Sequence, residues 1–394
     1  MSVINYNLTG IEVLVGEGAI SGLKQEMQKL NVSKPLIVTD YGIVASGIVA
    51  EVENYLRQEN IQFSIYSGVL PDPKDVMVDA GLAIYKETGC DFVLSVGGGS
   101  SMDTGKCISI MTVHPGHILD YARSTPDHKD FTRKGCPIIS VATTSGTGSE
   151  VSKYAVITNA KTNRKTTIAS KYILSDVAIL DVNFAVKMPQ DVTAYTGIDA
   201  LTHAIDAYTY KTTIDNAVMI SDSLALSAIR IIGENLVECY KNGSNKDSRT
   251  KMMWASLMAG VALNIGSGES HAFGSMLSKY YGVHHGISVG VSLPYCMQYS
   301  LDYAPHRFAD IAIALGSQAT RKTDELAEES VHAVKRILKD LDFPHMSDYV
   351  HSIDEVRKFA DECAGNSCCT SNERMVNGDQ IIQVFKMALE DNYD

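Results

Sequence analysis

The first half of the chain alternates short apolar runs with longer stretches in which apolar residues recur every three or four positions. PLIVTD (35–40), FSIYSGV (63–69) and DFVLSVGGGS (91–100) begin as continuous apolar runs, which predicts buried strands. GIVAEVENYLRQEN (47–60) and VMVDAGLAIYKETGC (76–90) have the period of helices. Strands that alternate with helices predict a parallel sheet covered on both faces.

The pattern changes after about residue 185. Three long stretches with helical spacing follow, at 217–243, 248–266 and 324–342, and we find no strand pattern among them. The sequence therefore predicts two domains, an α/β domain over 1–185 and an all-α domain over 186–394.

Composition narrows the classes of partner. The 394 residues include 46 acidic and 34 basic side chains, for a net charge of −12, and no long basic run is present, so we exclude a nucleic-acid partner. No apolar run approaches the roughly 18 residues of a membrane span, and the N-terminus lacks a signal-peptide pattern. We therefore expect a cytoplasmic protein with no membrane partner. The eight cysteines form no C-x-x-C pair, which favours reduced thiols.

Two loops of glycine and small residues follow apolar runs. In SVGGGSSMDTGK (95–106) and TTSGTGSE (143–150), glycines let the backbone approach a phosphate, and the N-terminus of a following helix offers free N–H groups. Neither loop has the G-x-G-x-x-G or Walker spacing, so a tight structural turn is the alternative for each loop alone. Two such loops in one parallel sheet favour a nucleotide.

Asp40 ends the first clear apolar run. An acid at this position can accept hydrogen bonds from a ribose 2′-hydroxyl and would repel a 2′-phosphate, which favours NAD over NADP. A helix cap is the alternative role for this side chain.

A carboxylate and an imidazole share one helix face in GIDALTHAIDAY, where Asp199 and His203 lie four residues apart. They can chelate one divalent cation, or they can form only a hydrogen-bonded surface pair. Residues 270–286 add three histidines, in a chain that has only 11. One aspartate with several histidines is typical of a Zn(II) or Fe(II) site that keeps a coordination position open to substrate.

Four motifs, GGGSSMDTGK, TTSGTGSEVS, TGIDALTHAIDAY and HHGISVGVSLPY, occur in this order along nearly the whole chain. Together they resemble the iron-containing (group III) alcohol dehydrogenases, a family that includes lactaldehyde and propanediol oxidoreductases. The resemblance implies an N-terminal Rossmann-like domain and an all-α metal-binding domain, in the dehydroquinate synthase-like architecture. It also implies an NAD(H)-linked alcohol dehydrogenase or aldehyde reductase with one Fe(II) or Zn(II) per chain. We expect the protein to form a homodimer or a higher homo-oligomer.

The resemblance assigns the site residues motif by motif. The expected metal ligands are Asp199, His203, His271 and His285, whereas His284 precedes the motif histidine and is not expected to bind. The residues expected to bind the cofactor are Asp40 at the adenine ribose, Gly97, Gly98, Gly99 and Ser100 at the pyrophosphate, Asp103 near the nicotinamide, Thr143 and Thr144 on the adenosine side, and Lys165 near a ribose.

One departure from the family pattern concerns the proton path. The family commonly has a second histidine four residues after the third ligand, and this chain has Ser275 there. We expect the proton to leave through water, Ser275 or a ribose hydroxyl, since Lewis-acid catalysis by the metal does not itself need that histidine.

The substrate is less defined. By motif, Lys153 and Tyr154 pass near the pocket, which favours a short polar or anionic aldehyde such as lactaldehyde, sulfoacetaldehyde or succinic semialdehyde. The alternative is that Lys153 faces solvent, as most lysines do. Two other classes stay open at this point. One is a dehydroquinate-synthase-like lyase that uses NAD transiently, and the other is a filament-forming relative with weak activity.

Overall fold

The computed structural model describes residues 10–216, 218–372, 374–391 and 393. The chain divides into two compact units, of which one ends at Met188 and the other begins at Pro189. The first contains a parallel sheet of six strands, and the described part of the second is helical. The predicted fold class, an α/β parallel-sheet domain followed by an all-α domain, is confirmed.

The strands of the first unit form one sheet and one hairpin. The sheet has the order β1-β8-β5-β4-β2-β3 with parallel neighbours throughout, and β6 and β7 form a separate antiparallel pair. The strands are β1 Glu12–Gly16, β2 Pro35–Asp40, β3 Ser64–Val69, β4 Phe92–Gly97, β5 Ile138–Ala142, β6 Tyr154–Asn159, β7 Arg164–Ala169 and β8 Val177–Asp181.

The sequence pattern did not predict the β6–β7 hairpin. Its strands bury few apolar side chains, namely Ala155 and Ile157 of β6 and Ile168 of β7. Two or three buried positions that alternate with polar ones are a much weaker signal than the continuous apolar runs of β2 and β4.

Helices cover both faces of the sheet. Side chains of β2 alternate between two hydrophobic clusters, since Leu36 and Val38 pack with the helices at Asp75–Thr88 and Gly99–Met111, whereas Ile37 packs with those at Leu23–Leu30 and Ile48–Gln58. The α-helices of this unit are α1 Leu23–Leu30, α2 Tyr41–Ala45, α3 Ile48–Gln58, α4 Asp75–Thr88, α5 Gly99–Met111 and α6 Val182–Ala185, with 3₁₀ turns at Ala19–Gly22, Ile118–Tyr121 and Lys171–Ile173.

The strand order reverses between β2 and β4. The chain continues from β2 to β3 on one side of the sheet and from β4 to β5 on the other. Ligands of open parallel sheets bind outside the carboxyl ends of the strands at such a reversal. Asp40 and Gly97 are the last residues of these two strands, so two of the sequence-predicted cofactor residues lie at the point that topology favours.

The second unit is built from helices. Its α-helices are α7 Gln190–Tyr208, α8 Lys211–Asn216, α9 Met219–Lys241, α10 Lys246–Ala262, α11 Glu269–Tyr281, α12 His285–Gly290, α13 Leu293–Ser300, α14 Pro305–Ala314, α15 Thr323–Asp340, α16 Ile353–Val356, α17 Ala360–Ala364, α18 Ser367–Thr370 and α19 Gly378–Glu390, with 3₁₀ turns at Leu263–Ile265, Leu301–Tyr303 and Met346–Asp348. In the described part of the chain, none of the helices combines the length and the apolar character that a bilayer crossing requires.

Helix α7 lies in the middle of this unit. It packs against α9, α10 and α12, and from Thr196 to Tyr208 every residue is buried. Ile198, Leu201 and Ile205 belong to the hydrophobic core. Because α7 is enclosed rather than amphipathic, its polar side chains lie inside the protein, where each needs a partner.

Substitution of Gly105 by alanine tests how closely α5 packs on the sheet. A Cβ at this position would approach the buried Ser95 Oγ of β4 to 2.0 Å. We expect Gly105→Ala to lower the free energy of unfolding by about 1–3 kcal/mol, as overpacking does, measured by denaturant titration. Gly233→Ala in α9 is the matched control, because it gains the same helix propensity and meets only the end of the Leu315 side chain, at 3.0 Å. Equal stability changes in the two variants would contradict the expectation.

Candidate functional site

Three polar side chains of α7 face one direction inside the helical unit. Asp199, His203 and Asp206 follow at intervals of four and three residues, which places them on one helix face. All three are at least nine-tenths buried. An ionised carboxylate in such a place is stable only with compensating groups close by.

Those groups come from three helices. Asp199 Oδ1 lies 3.7 Å from His203 Nε2, 4.0 Å from His271 Nε2 at the start of α11 and 3.6 Å from His285 Nε2 at the start of α12. The ligand atoms of Asp199, His271 and His285 all lie within 4.8 Å of one another. The rings of His203 and His271 are stacked with their centroids 4.7 Å apart. The structure thus brings Asp199, His271 and His285 into one candidate metal site, and His203 lies beside them, with its Nε2 3.7 Å from Asp199 Oδ1.

The arrangement fits a divalent cation. Distances of 3.6–4.0 Å are too long for hydrogen bonds, and two ligands of one tetrahedral cation lie about 3.4 Å apart. Asp199 Oδ1 and His271 Nε2 are buried, with no hydrogen-bond partner among the described residues. Burial acts to raise the pKa of Asp199, but the imidazoles of His203, His285 and His271 outweigh it and hold the pKa below its usual value. A carboxylate oxygen surrounded by imidazole nitrogens is a suitable ligand for a divalent cation.

Asp206 positions one of these imidazoles, and the sequence reasoning missed it. Its Oδ2 accepts hydrogen bonds from His271 Nδ1 at 2.7 Å and from the Gly268 N–H at 2.9 Å. This bond fixes the tautomer that leaves Nε2 of His271 directed at Asp199. Burial acts to lower the pKa of His271, but the bond to Asp206 and the charges of both aspartates raise it. The available signal was the acid three residues after His203.

A buried ion pair lies at the N-terminus of α11. Arg374 Nε lies 3.1 Å from Glu269 Oε1, and Arg374 also donates to the carbonyl of Thr209 at 2.5 Å, just beyond the end of α7. Burial raises the pKa of Glu269 to about 7, although Arg374 opposes the rise. The pair links the end of α7 to the start of α11, the two helices that carry Asp199 and His271.

Ser275 and His284 lie close in sequence to the histidines of the site, Ser275 four residues after His271 and His284 directly before His285. The Ser275 hydroxyl donates to the His271 carbonyl at 2.8 Å within α11, so its proton is engaged by its own helix. His284 is exposed and precedes α12, and its ring lies 5.7 Å from that of Tyr195. Its Coulomb effect on Asp199 is the smallest of the four histidines.

The first glycine loop opens helix α5 in the sheet unit. Gly98 is the N-cap and Gly99 the first helical residue, with Ser100 next. The N–H groups of this first turn have no partner within the helix, and the positive end of the helix dipole favours an anion there. Gly97, at the end of β4, accepts a hydrogen bond from the Thr143 N–H at 3.1 Å, which ties the two glycine loops together.

The loops pack closely enough to form one surface. A Cβ on Gly98 would lie 3.2 Å from Thr144 Oγ1, and one on Gly99 would lie 2.7 Å from Thr147 Cγ2. The hydroxyls of Thr143, Thr144 and Ser145 are buried and have no hydrogen-bond partner among the described residues. Buried hydroxyls without partners beside a helix N-terminus fit a polar ligand such as a dinucleotide.

Asp103 and Lys106 hold the second loop against α5. The two carboxylate oxygens of Asp103 accept from Ser149 Oγ at 2.6 Å and from the Val156 N–H at 2.8 Å. The fully buried Lys106 Nζ donates to Ser149 Oγ, Ser152 O and Tyr154 O at 2.8–3.0 Å. Burial raises the pKa of Asp103 and lowers that of Lys106, and each charge opposes the shift of the other.

Asp40 at the end of β2 and Lys165 of β7 are the remaining predicted cofactor residues. Asp40 caps α2 by accepting from the Ile43 N–H at 3.0 Å, and its second oxygen accepts from Ser101 Oγ at 3.1 Å. The cap that the sequence left as an alternative is thus present, and the bond to Ser101 connects Asp40 with the first glycine loop. Lys165 forms an ion pair with Asp72, with Nζ and Oδ1 2.6 Å apart.

Asp206→Asn tests the positioning of His271. We expect metal affinity to fall by about 10–100-fold, because the imidazole loses the carboxylate that orients it and raises its basicity. Competition with a chromophoric chelator measures the affinity. Asp222→Asn is the matched control, since Asp222 of α9 is paired with Arg307 at 2.8 Å and is not among the groups around Asp199. Wild-type affinity in Asp206→Asn would show that the contact does not support the site.

Known proteins share both halves of this chain. Residues 11–182 match the family model described as "Iron-containing alcohol dehydrogenase", and residues 193–389 match "Fe-containing alcohol dehydrogenase family, C-terminal". The 1,3-propanediol dehydrogenase of Klebsiella pneumoniae is 37% identical over 378 residues, which cover 95% of this chain and 96% of that protein.

Two solved structures are similar over almost their full lengths. A crystal structure of 1,3-propanediol oxidoreductase has a TM-score of 0.92 and 36% identity, and the match covers 98% of this chain and 100% of that one. A sulfoacetaldehyde reductase from Bifidobacterium kashiwanohense, solved in complex with NAD⁺, has a TM-score of 0.88 and 25% identity with complete coverage of both chains. The chain belongs to the iron-containing alcohol dehydrogenase family.

Proposed function

We propose that this protein is an NAD(H)-linked, metal-dependent alcohol dehydrogenase or aldehyde reductase that acts on a short polar substrate. The observation that carries the proposal is the convergence of three imidazole nitrogens on one buried oxygen of Asp199, at 3.6–4.0 Å. The family match supports a dehydrogenase over the dehydroquinate-synthase-like lyase, and net turnover of NADH distinguishes the two.

The helical unit is proposed to hold the cation. Asp199, His203, His271 and His285 would bind one Fe(II) or Zn(II), with Asp206 fixing the orientation of His271. When bound, the cation supplies Lewis acidity toward the oxygen of an alcohol or aldehyde. The protein contributes a fixed ligand set, because the helices that carry it are packed in the core of the unit, while the partly exposed His285 leaves one side accessible.

The sheet unit is proposed to hold NAD(H). Gly97–Ser100 at the start of α5 would receive the pyrophosphate, Asp40 the adenine ribose, and Thr143 and Thr144 the remaining polar groups of the cofactor. Bound NAD(H) supplies or accepts the hydride. Asp103 accepts one hydrogen bond on each carboxylate oxygen from the protein, and we propose that it lies near the nicotinamide and shapes the loop there.

The domain boundary, the location in the cell and the oligomeric state are also part of this proposal. We place the boundary between the NAD-binding and metal-binding domains close to residue 185. We also keep the expectations of a cytoplasmic location and of a homodimer or higher homo-oligomer.

For the proton, water or a ribose hydroxyl is favoured over Ser275 as the donor, because the Ser275 proton is engaged by the His271 carbonyl. The serine oxygen can still accept a hydrogen bond from water.

The proposed substrate class rests on one residue of the chain and two relatives. A relative is named for 1,3-propanediol and a structural neighbour for sulfoacetaldehyde, so both neutral and anionic short substrates occur among similar proteins. Lys153 is half-buried, and burial lowers its pKa, as does Arg123 nearby. A cation that is partly withdrawn from water favours an anionic group such as a carboxylate or sulfonate. Lactaldehyde, sulfoacetaldehyde and succinic semialdehyde are the candidates.

Metal content and NADH oxidation test the function together. The protein is purified anaerobically, Fe and Zn are quantified, and short aldehydes are screened with NADH and NADPH. We expect about one metal per chain and NADH oxidation that a chelator abolishes and added Fe(II) or Zn(II) restores. Metal binding without turnover on any aldehyde would favour the lyase or the weakly active filament-forming relative instead.

His203→Ala separates the metal site from the nucleotide site. We expect it to lose bound metal and more than about 100-fold of kcat/KM, while NADH binding, followed by nicotinamide fluorescence, stays within twofold of wild type. His332→Ala is the matched control, because His332 is an exposed histidine of α15. Retained metal and near-wild-type turnover in His203→Ala would overturn the ligand assignment.

Lys153→Met tests the anionic substrate class. If Lys153 faces the substrate, KM for sulfoacetaldehyde or succinic semialdehyde should rise about tenfold or more, because a charge-assisted contact is lost, while KM for lactaldehyde changes little. Lys171→Met is the comparison, since Lys171 is an exposed lysine of the same unit. Parallel changes for neutral and anionic aldehydes would remove the argument for an anion.

A further inference from the structure

The end of α7 and the start of α11 lie beside the contact that orients His271. Asp206 of α7 binds the His271 imidazole and the Gly268 N–H with one carboxylate oxygen. Thr209, the C-cap of α7, follows Asp206 by three residues, and Glu269, the first residue of α11, precedes His271 by two. A group that joins Thr209 to Glu269 therefore acts on the same two helices as the Asp206–His271 bond.

Arg374 contacts both of these positions. Its guanidinium donates to the Thr209 carbonyl at 2.5 Å, and its Nε lies 3.1 Å from Glu269 Oε1. Arg374 and Glu269 are both buried, and the ring of Tyr303 lies against the guanidinium, with its centre 5.1 Å from the guanidinium carbon. A planar guanidinium presents its N–H groups in fixed directions, so one that contacts two groups restricts the distance between them.

Asn372 makes a similar connection two residues earlier. Its side-chain oxygen accepts from the Lys211 N–H at 2.9 Å, just after α7, and its amide nitrogen donates to the Ser267 carbonyl at 3.4 Å, just before α11. Asn372 is completely buried. Two buried side chains from the same part of the chain thus each contact the segment after α7 and the segment at the start of α11, which limits how far the two helix ends can move apart.

We propose that Arg374 is a positioning residue for the candidate metal site and that it acts through the Asp206–His271 contact. By holding the end of α7 against the start of α11, it keeps Asp206 within hydrogen-bond distance of His271 Nδ1 and so keeps Nε2 of His271 directed at Asp199. The proposal rests on the metal site proposed above. It gives a part in metal binding to the C-terminal part of the chain, which supplies none of the proposed ligands.

The affinity of the full chain for Zn(II), measured by competition with a chromophoric chelator, tests this role. We expect Arg374→Met, which keeps a long unbranched side chain, to lower the affinity about tenfold, because the His271 imidazole is less firmly oriented. Asn372→Ala should lower it in the same direction, and it serves as the second variant if Arg374→Met does not fold.

Arg307→Met is the matched control for the loss of a buried arginine. Arg307 is also buried, pairs with the carboxylate of Asp222 and donates to the carbonyl of Thr213, but these partners belong to α9 and α8 rather than to α11. We expect Arg307→Met to lower the free energy of unfolding, as Arg374→Met does, because each leaves a buried carboxylate without its partner. Its affinity for Zn(II) should stay within about twofold of wild type, which separates positioning from stability.

A double variant shows whether Arg374 acts through Asp206. In Asp206→Asn the orienting bond to His271 is already lost, so the addition of Arg374→Met should change the affinity for Zn(II) by less than about twofold. The visible absorption spectrum of the Co(II)-substituted protein gives a second readout, because it reports the geometry of the ligands. We expect Arg374→Met to change this spectrum in the same direction as Asp206→Asn, and Arg307→Met to leave it unchanged.

Four results would overturn the role of Arg374 while leaving the metal site in place. They are wild-type affinity in folded Arg374→Met, wild-type affinity in Asn372→Ala where Arg374→Met does not fold, an equal loss of affinity in Arg307→Met, and a further loss of more than about twofold when Arg374→Met is added to Asp206→Asn. A wild-type chain that binds no Zn(II) would instead overturn the proposed metal site, and the positioning role with it.

Discussion

The buried carboxylate of Asp199 is the constraint on which the helical unit depends. It lies on a helix that is enclosed by other helices, where an isolated negative charge would be unstable. Three imidazoles from α7, α11 and α12 surround it, so those three helices have to meet at one point. The same requirement that stabilises the charge brings one aspartate and three histidines close together, which are residue types that Fe(II) and Zn(II) sites use.

Other buried charged side chains next to Asp199 and the histidines are also paired with partners from distant segments. Asp206 carries a second buried charge on α7 and is satisfied by the imidazole of His271 and by a backbone N–H. Glu269 and Arg374 form a third charged contact close by. Each pair joins segments that are distant in the sequence, so the polar interior of this unit fixes the relative positions of its helices as well as the chemistry of the site.

Buried charge also organises the sheet unit. The Lys106 ammonium is fully buried and binds Ser149 of the second glycine loop together with Ser152 and Tyr154 just after it, while Asp103 binds Ser149 from the adjoining turn of α5. Beyond the end of β3, Asp72 pairs with Lys165 of β7, which links the β6–β7 hairpin to a loop of the sheet.

The sequence by itself determined the alternation of strands and helices from β2 to α5, the parallel sheet and the family, because apolar periodicity, glycine loops and the i, i+4 spacing of Asp199 and His203 are local features of the chain. Only the tertiary structure decided that α7 is enclosed, that Asp206 bonds His271 across 65 positions and that Lys165 pairs with Asp72. It also revealed the β6–β7 hairpin. Such pairings depend on how distant segments pack, and no local pattern of hydrophobic and polar residues records which two of them will meet.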